Sequence, residues 1–248
     1  MTFIEYGKQN KETIILLHGG GLSWWNYREE AELLQNDYHV ILPILDGHAG
    51  SDRGFVSIEE SASQIISYID EKCGGSVFFI GGLSLGGQIL TEILTQRKDI
   101  CKYALIESAL VMPMWITHHL TKPMVDMSYG LIKKEWFSKL QFKALRLKED
   151  FYEEYYRDSA GIKKENMVAF LKANTKYTVR EAIKDTNARV LIVVGKKESY
   201  KMRRSAKKLH GIISGSTLEV LDGAYHGEFS LKYAEKYVER IKALDLLL

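Results

Sequence analysis

Residues 76–97 constrain this chain more than any other stretch. Val77, Phe78, Phe79 and Ile80 are a short apolar run rich in β-branched and aromatic side chains, as expected of a strand covered on both faces. Leu85, Ile89, Leu90, Ile93 and Leu94 then recur at helical spacing. Between them lies Gly82-Leu83-Ser84-Leu85-Gly86, a complete Gly-x-Ser-x-Gly. A strand that turns at once into a helix holds the turn residue in a strained conformation, and glycines two before and two after it leave room where chain segments meet. The outcome is a serine hydroxyl raised above the sheet edge, with the next residue's N–H at a helix N-terminus aimed at the same spot. A glycine-rich turn with an incidental serine would carry the same letters; the strand before and the helix after favour a nucleophile at Ser84.

The rest of the chain repeats this alternation. Strands are expected around residues 3–6, 13–17, 38–45, 103–108, 189–195 and 217–221. Helical patterns fall between them: residues 27–36 with Ala31, Leu33 and Leu34 inward, and a helix that starts after Ser57 and ends near Cys73-Gly74-Gly75, with Ile58, Ala62, Ile65, Ile66 and Ile69 on one face. Ser57 reads as the N-cap of the latter, with Glu60 as its capping-box partner. A terminal helix with Ala234, Tyr237, Val238, Ile241 and Leu244 covers the sheet. Strands alternating with helices make an α/β fold with a mostly parallel sheet, helices on both faces and functional loops at the strands' C-terminal ends. From residue 112 to 185 strand character disappears and amphipathic helical stretches take over. The expected organisation is therefore a core of residues 1–111 and 186–248 with a helical cap at 112–185. Within the cap, Met112, Met114, Trp115, Met124 and Met127 are candidates to line an apolar pocket or simply to pack the cap on the core.

Composition narrows the function. The chain has 248 residues and a net charge of +2, with no basic–aromatic stripe, so nucleic acid is not an expected partner. Its N-terminus has no basic start followed by an apolar signal core, and no run is long and apolar enough to span a bilayer. Cys73 and Cys101 make no disulfide framework and read as reduced thiols of a cytoplasmic protein. No metal-ligand spacing or dinucleotide fingerprint occurs, so no cofactor is expected.

Four loops should gather at one sheet edge. His18-Gly19-Gly20-Gly21 follows the second strand, and three glycines there suit a backbone that must approach a ligand: the N–H of Gly20, with Gly21 a further candidate, would join that of Leu85 in an oxyanion hole. The others carry Ser84, Glu198 and His226. A serine hydroxyl needs an imidazole to take its proton, and the imidazole needs a carboxylate to orient it. His48, in Asp46-Gly-His-Ala-Gly-Ser51, reads as a structural loop histidine rather than a base. His118 and His119 lie in the cap, within reach of a substrate, while the basic cluster at Lys201, Arg203, Arg204, Lys207 and Lys208 reads as a solvated helix face.

These motifs, together with Gly195-x-x-Glu198 and the chain order Ser84, Glu198, His226, resemble the α/β-hydrolase superfamily, in the branch with a helical lid inserted after the sixth strand. The resemblance covers nearly the whole chain. It implies a serine hydrolase of small-molecule carboxylic esters or thioesters, working through an acyl-enzyme on Ser84 with His226 as proton shuttle, Glu198 as orienting acid, and Gly20 and Leu85 as oxyanion donors. Two features depart from the family pattern. The acid is a glutamate where aspartate is commoner, and His226 follows Gly-Ala-Tyr. Some members carry the acid after the sixth strand, which makes Glu107 the alternative. Relatives with the same triad also cleave C–C bonds or act as lyases; a non-catalytic receptor on this scaffold is a third reading, against which the intact triad argues.

Overall fold

A computed structural model describes the backbone of residues 1–245 and the side chains of residues 1–243. Seven strands form one sheet: β1 (Thr2–Tyr6), β2 (Thr13–Leu17), β3 (His39–Ile44), β4 (Val77–Leu83), β5 (Cys101–Glu107), β6 (Arg189–Gly195) and β7 (Thr217–Leu221). They lie in the order β1-β3-β2-β4-β5-β6-β7; β1 runs antiparallel to β3 and every other pairing is parallel. The central strands are apolar without alternation because helices cover both faces. Successive side chains of β2 divide between two cores: Ile15 and Leu17 face one, Ile14 and Leu16 the other.

The first core is closed by α2 (Ile58–Lys72), α3 (Leu85–Gln96) and α8 (Tyr200–Ile212), the second by α1 (Arg28–Leu34) and α10 (Ala234–Asp245). Ser57 caps α2 as expected, its hydroxyl accepting the Glu60 N–H at 3.0 Å. Two inward assignments need correction. Leu33 is exposed, because α1 is short and turns Ala31 and Leu34 to the sheet; Ile66 is only half-buried at the edge of its stripe. The side chain of Leu244 lies outside the described residues.

Between β5 and β6 run α4 (Trp115–Ile132), α5 (Glu135–Leu145), α6 (Tyr152–Gly161) and α7 (Lys164–Lys176). This helical segment follows the fifth strand of the chain, so the expected position after a sixth is corrected by one: only five strands precede it here. Polar contacts tie it to the sheet-and-helix body. Trp25 Nε1 donates to Asp158 at 2.9 Å, Arg28 pairs with Glu154, and Lys148 pairs with Glu29. Gln88 and Asn174 exchange hydrogen bonds at 2.9 and 3.0 Å, joining α3 to α7. Met112 and Met114 are half-buried, whereas Trp115, Met124 and Met127 are exposed rather than turned inward. The reason is the rotation of α4, which turns Thr121, Val125 and Ile132 inward.

Candidate active site

The turn from β4 into α3 sets the centre of the site. Ser84 has φ 53° and ψ −108°, a region that non-glycine residues enter only under constraint. The constraint is packing. A Cβ on Gly82 would stand 2.5 Å from the Gly86 carbonyl oxygen, and one on Gly86 would stand 2.1 Å from that of Leu17. Both glycines are therefore required by the crossing of β2, β4 and α3. Ser84 N–H donates to the Glu107 carbonyl at 2.9 Å, which pins the strained residue to the end of β5.

Three distant side chains meet at this turn. The Ser84 hydroxyl lies 3.1 Å from His226 Nε2, and His226 Nδ1 lies 2.7 Å from Glu198 Oε2. This pattern selects one tautomer: Nδ1–H donates to the carboxylate and Nε2 accepts from the serine. Glu198 is buried, while the His226 side chain is 43% exposed, so the imidazole is open to solvent at the strand ends. The extra methylene of glutamate is absorbed by a turn that folds back on β6. Glu198 N–H donates to the Gly195 carbonyl at 3.1 Å, and Glu198 Oε1 accepts the Gly195 N–H at 2.7 Å.

Oε1 also accepts the Ser108 hydroxyl at 2.7 Å, so three donors serve the two carboxylate oxygens. Ser108 itself is buried with φ 53°, its N–H donating to the Val193 carbonyl at 3.0 Å. Sequence reasoning missed this residue; its signal was a small polar side chain directly after a buried strand.

Glu107 has a different environment. Its carboxylate accepts the N–H groups of Phe229 and Ser230 at 3.0 and 3.2 Å, at the start of the short helix α9 (Glu228–Lys232) that follows His226. Burial raises its pKa to about 7. The carboxylate in contact with the imidazole is that of Glu198.

The glycine loop after β2 is organised by two side chains. Gly19 N–H donates to Asn26 Oδ1 at 3.1 Å, and Gly21 N–H donates to His48 Nε2 at 3.0 Å. Gly21 is thus engaged and drops out as an oxyanion donor. The Gly20 N–H lies between two anchored neighbours. Leu85 N–H belongs to the first residue of α3, where no intrahelical acceptor exists. His48 is fully buried, donates from Nδ1 to the Asp46 carbonyl at 3.2 Å and stacks on Phe170 of α7 at 4.7 Å. Burial lowers its pKa to about 4, so it stays a neutral acceptor near neutrality. His18, pushed well below its ordinary value by burial and by His48, accepts the Leu45 N–H at 3.0 Å. The two histidines of α4 bond to backbone, His118 to Lys172 and His119 to Trp115. Among the described residues no cluster of three or more His, Cys, Asp or Glu side chains could hold a metal ion.

A seven-stranded, mostly parallel sheet with a strained serine at a Gly-x-Ser-x-Gly turn defines a class of fold, the α/β hydrolases. The chain belongs to the alpha/beta hydrolase family, whose model matches residues 14–240. It is similar in structure to an esterase from Exiguobacterium antarcticum at 19% identity, covering 98% of this chain and 94% of that one with a TM-score of 0.81. It is likewise similar to a thermophilic esterase from Thermogutta terrifontis, at 16% identity, 98% and 92% coverage and a TM-score of 0.79. An enol-lactonase from Burkholderia xenovorans aligns at 14% identity, 99% and 95% coverage and a TM-score of 0.77. No curated protein matches the sequence. At these identities the structural likeness speaks for the fold alone.

Proposed function

We propose that this hydrolase cleaves a small carboxylic ester or thioester through an acyl-enzyme on Ser84. The observation that carries the reading is the continuous hydrogen-bonded line from Ser84 through His226 to Glu198, at 3.1 and 2.7 Å. His226 Nε2 takes the serine proton as Oγ bonds to the substrate carbonyl carbon. The resulting oxyanion sits against the N–H groups of Gly20 and Leu85, donors held in place before the charge develops. Collapse of the tetrahedral intermediate breaks the C–O or C–S bond, and His226 returns the proton to the departing alcohol or thiol. Water then repeats the sequence on the acyl-enzyme and releases the carboxylic acid. Glu198 holds the imidazole in the required tautomer and stabilises its charged form.

Residues 112–185 serve as the cap over this edge and, in this reading, set substrate choice; the core is residues 1–111 and 186–248. The thiols of Cys73 and Cys101, both free, support a reducing cytoplasmic setting. The test is turnover of short p-nitrophenyl esters and acyl thioesters by the wild type, Ser84→Ala and His226→Ala. Wild-type turnover and its loss in both variants are expected. A wild type inert to every ester and thioester but active on a β-diketone would move the chemistry to C–C bond cleavage.

A further inference from the structure

The helix α4 carries two separate apolar stripes, centred about 120° apart. Its inward side, with Thr121, Val125 and Ile132, is buried. On the outward side Ile116, Leu120, Met124, Met127 and Leu131 fall within an arc of about 80° at helical spacing. All five are exposed, Ile116 at 80% and Met127 at 82%. The stripe does not stop at the end of α4: after Lys133 and Lys134, α5 exposes Trp136 and Leu140 one turn apart. Large exposed apolar surfaces mark interaction sites.

The charge around the stripe indicates what covers it. Residues 115–148 hold seven Lys or Arg against two Asp or Glu, although the whole chain is only +2. Both acids are already neutralised: Asp126 by Lys122 and Lys164 at 2.6 Å each, and Glu135 by Lys139 at 2.6 Å. Lys133, Lys134 and Lys143 are exposed and form no ion pair among the described residues. Lys139 and Lys143 share the face of α5 that carries Trp136 and Leu140. A second copy docking stripe to stripe would bring one basic rim against another. An anionic lipid surface instead meets the lysines with phosphate and the apolar side chains with acyl chains, and a tryptophan suits the boundary between them. No helix among the described residues is long and apolar enough to cross a membrane, so contact would be peripheral, with α4 and α5 lying along the surface.

We propose that the outward face of α4 and α5 docks this protein on anionic membrane surfaces, the apolar stripe entering the headgroup boundary and the surrounding lysines holding phosphates. The proposal is independent of the reaction at Ser84. It is tested by co-sedimentation of the full chain with vesicles of phosphatidylglycerol and phosphatidylcholine, and with vesicles of phosphatidylcholine alone. Binding at low salt should be at least about tenfold stronger to the anionic vesicles, should weaken as salt rises, and should shift tryptophan emission to the blue. The double variant Met124→Ser/Met127→Ser and the double variant Lys134→Glu/Lys143→Glu should each weaken binding at least about fivefold while keeping the wild-type thermal midpoint, since all four side chains are exposed. The proposal is overturned if neither vesicle binds, if both bind equally, or if both folded variants bind like the wild type. A concentration-dependent dimer dissolved by Met124→Ser/Met127→Ser would also overturn it, by assigning the face to a second copy.

Discussion

His48 Nε2 accepts the backbone N–H of Gly21 at 3.0 Å, reaching across from the loop after β3 to the loop after β2. With Asn26 holding Gly19 at 3.1 Å, this contact brackets Gly20, the proposed oxyanion donor. His48→Ala removes the acceptor and leaves a part-buried N–H unpaired, a change of about 1–3 kcal/mol. If that falls on transition-state binding, kcat should drop about 5- to 100-fold with a smaller change in KM. Steady-state kinetics on a p-nitrophenyl ester check this. A KM effect alone would place His48 outside the oxyanion loop's function.

The two carboxylates at the strand ends should separate cleanly. Glu198→Gln should lower kcat by about two to four orders of magnitude, because an amide facing Nδ1 neither fixes the tautomer nor stabilises the imidazolium. Glu107→Gln retains an oxygen for the Phe229 and Ser230 N–H groups and should stay within about tenfold of wild type. The reverse ranking would make Glu107 the acid.

Ser108 offers a finer test, because it combines a donor to Glu198 with φ 53°. Ser108→Gly relieves the backbone constraint while deleting the 2.7 Å hydrogen bond. Stability should change by no more than about 1 kcal/mol as the two effects oppose each other, whereas kcat should fall about 3- to 10-fold. Thermal melts and kinetics on the same sample separate these quantities.

The buried acid and base predict opposing pH dependences. His48 ordinarily titrates near 6.5 but in the fold near 4. As pH falls through that window the unfolded chain binds a proton that the folded chain refuses, so stability is lost on acidification. Glu107 runs the other way. Its pKa rises from 4.5 to about 7, so the folded chain keeps a proton that the unfolded chain has released, and stability is lost as pH rises from about 4.5 to 7. Each effect is at most about 3.5 kcal/mol. Glu107→Gln should therefore gain stability relative to wild type at pH 8 and gain little at pH 4, as read from urea midpoints.

How much of this was legible in the sequence depended on whether a signal was local. The serine turn was legible because Gly82 and Gly86 are demanded by backbone crossings that no other residue permits. The sheet was legible because both faces of β2 and β4 are covered, which leaves uninterrupted apolar runs. Ser108 and the pairing of His48 with Gly21 were not legible, since each is a contact between loops far apart in the chain, and Asn26, though only seven residues from Gly19, sits in a short segment whose fold no periodicity marks. The helical segment between β5 and β6 misled for the opposite reason. Met124 and Met127 fit a pocket-lining pattern, but periodicity cannot say which of two apolar helix faces turns inward.

Ser84 is the proposed nucleophile, and covalent labelling tests that role most directly. Wild type, Ser84→Gly and His226→Ala are treated with a fluorophosphonate, digested and mapped by mass spectrometry. One phosphonyl adduct on Ser84 is predicted, absent from Ser84→Gly and strongly slowed in His226→Ala. Ser84→Gly should also melt higher than wild type, since glycine relaxes the φ 53° turn. An adduct on another residue, or undiminished labelling of Ser84→Gly, would contradict the account.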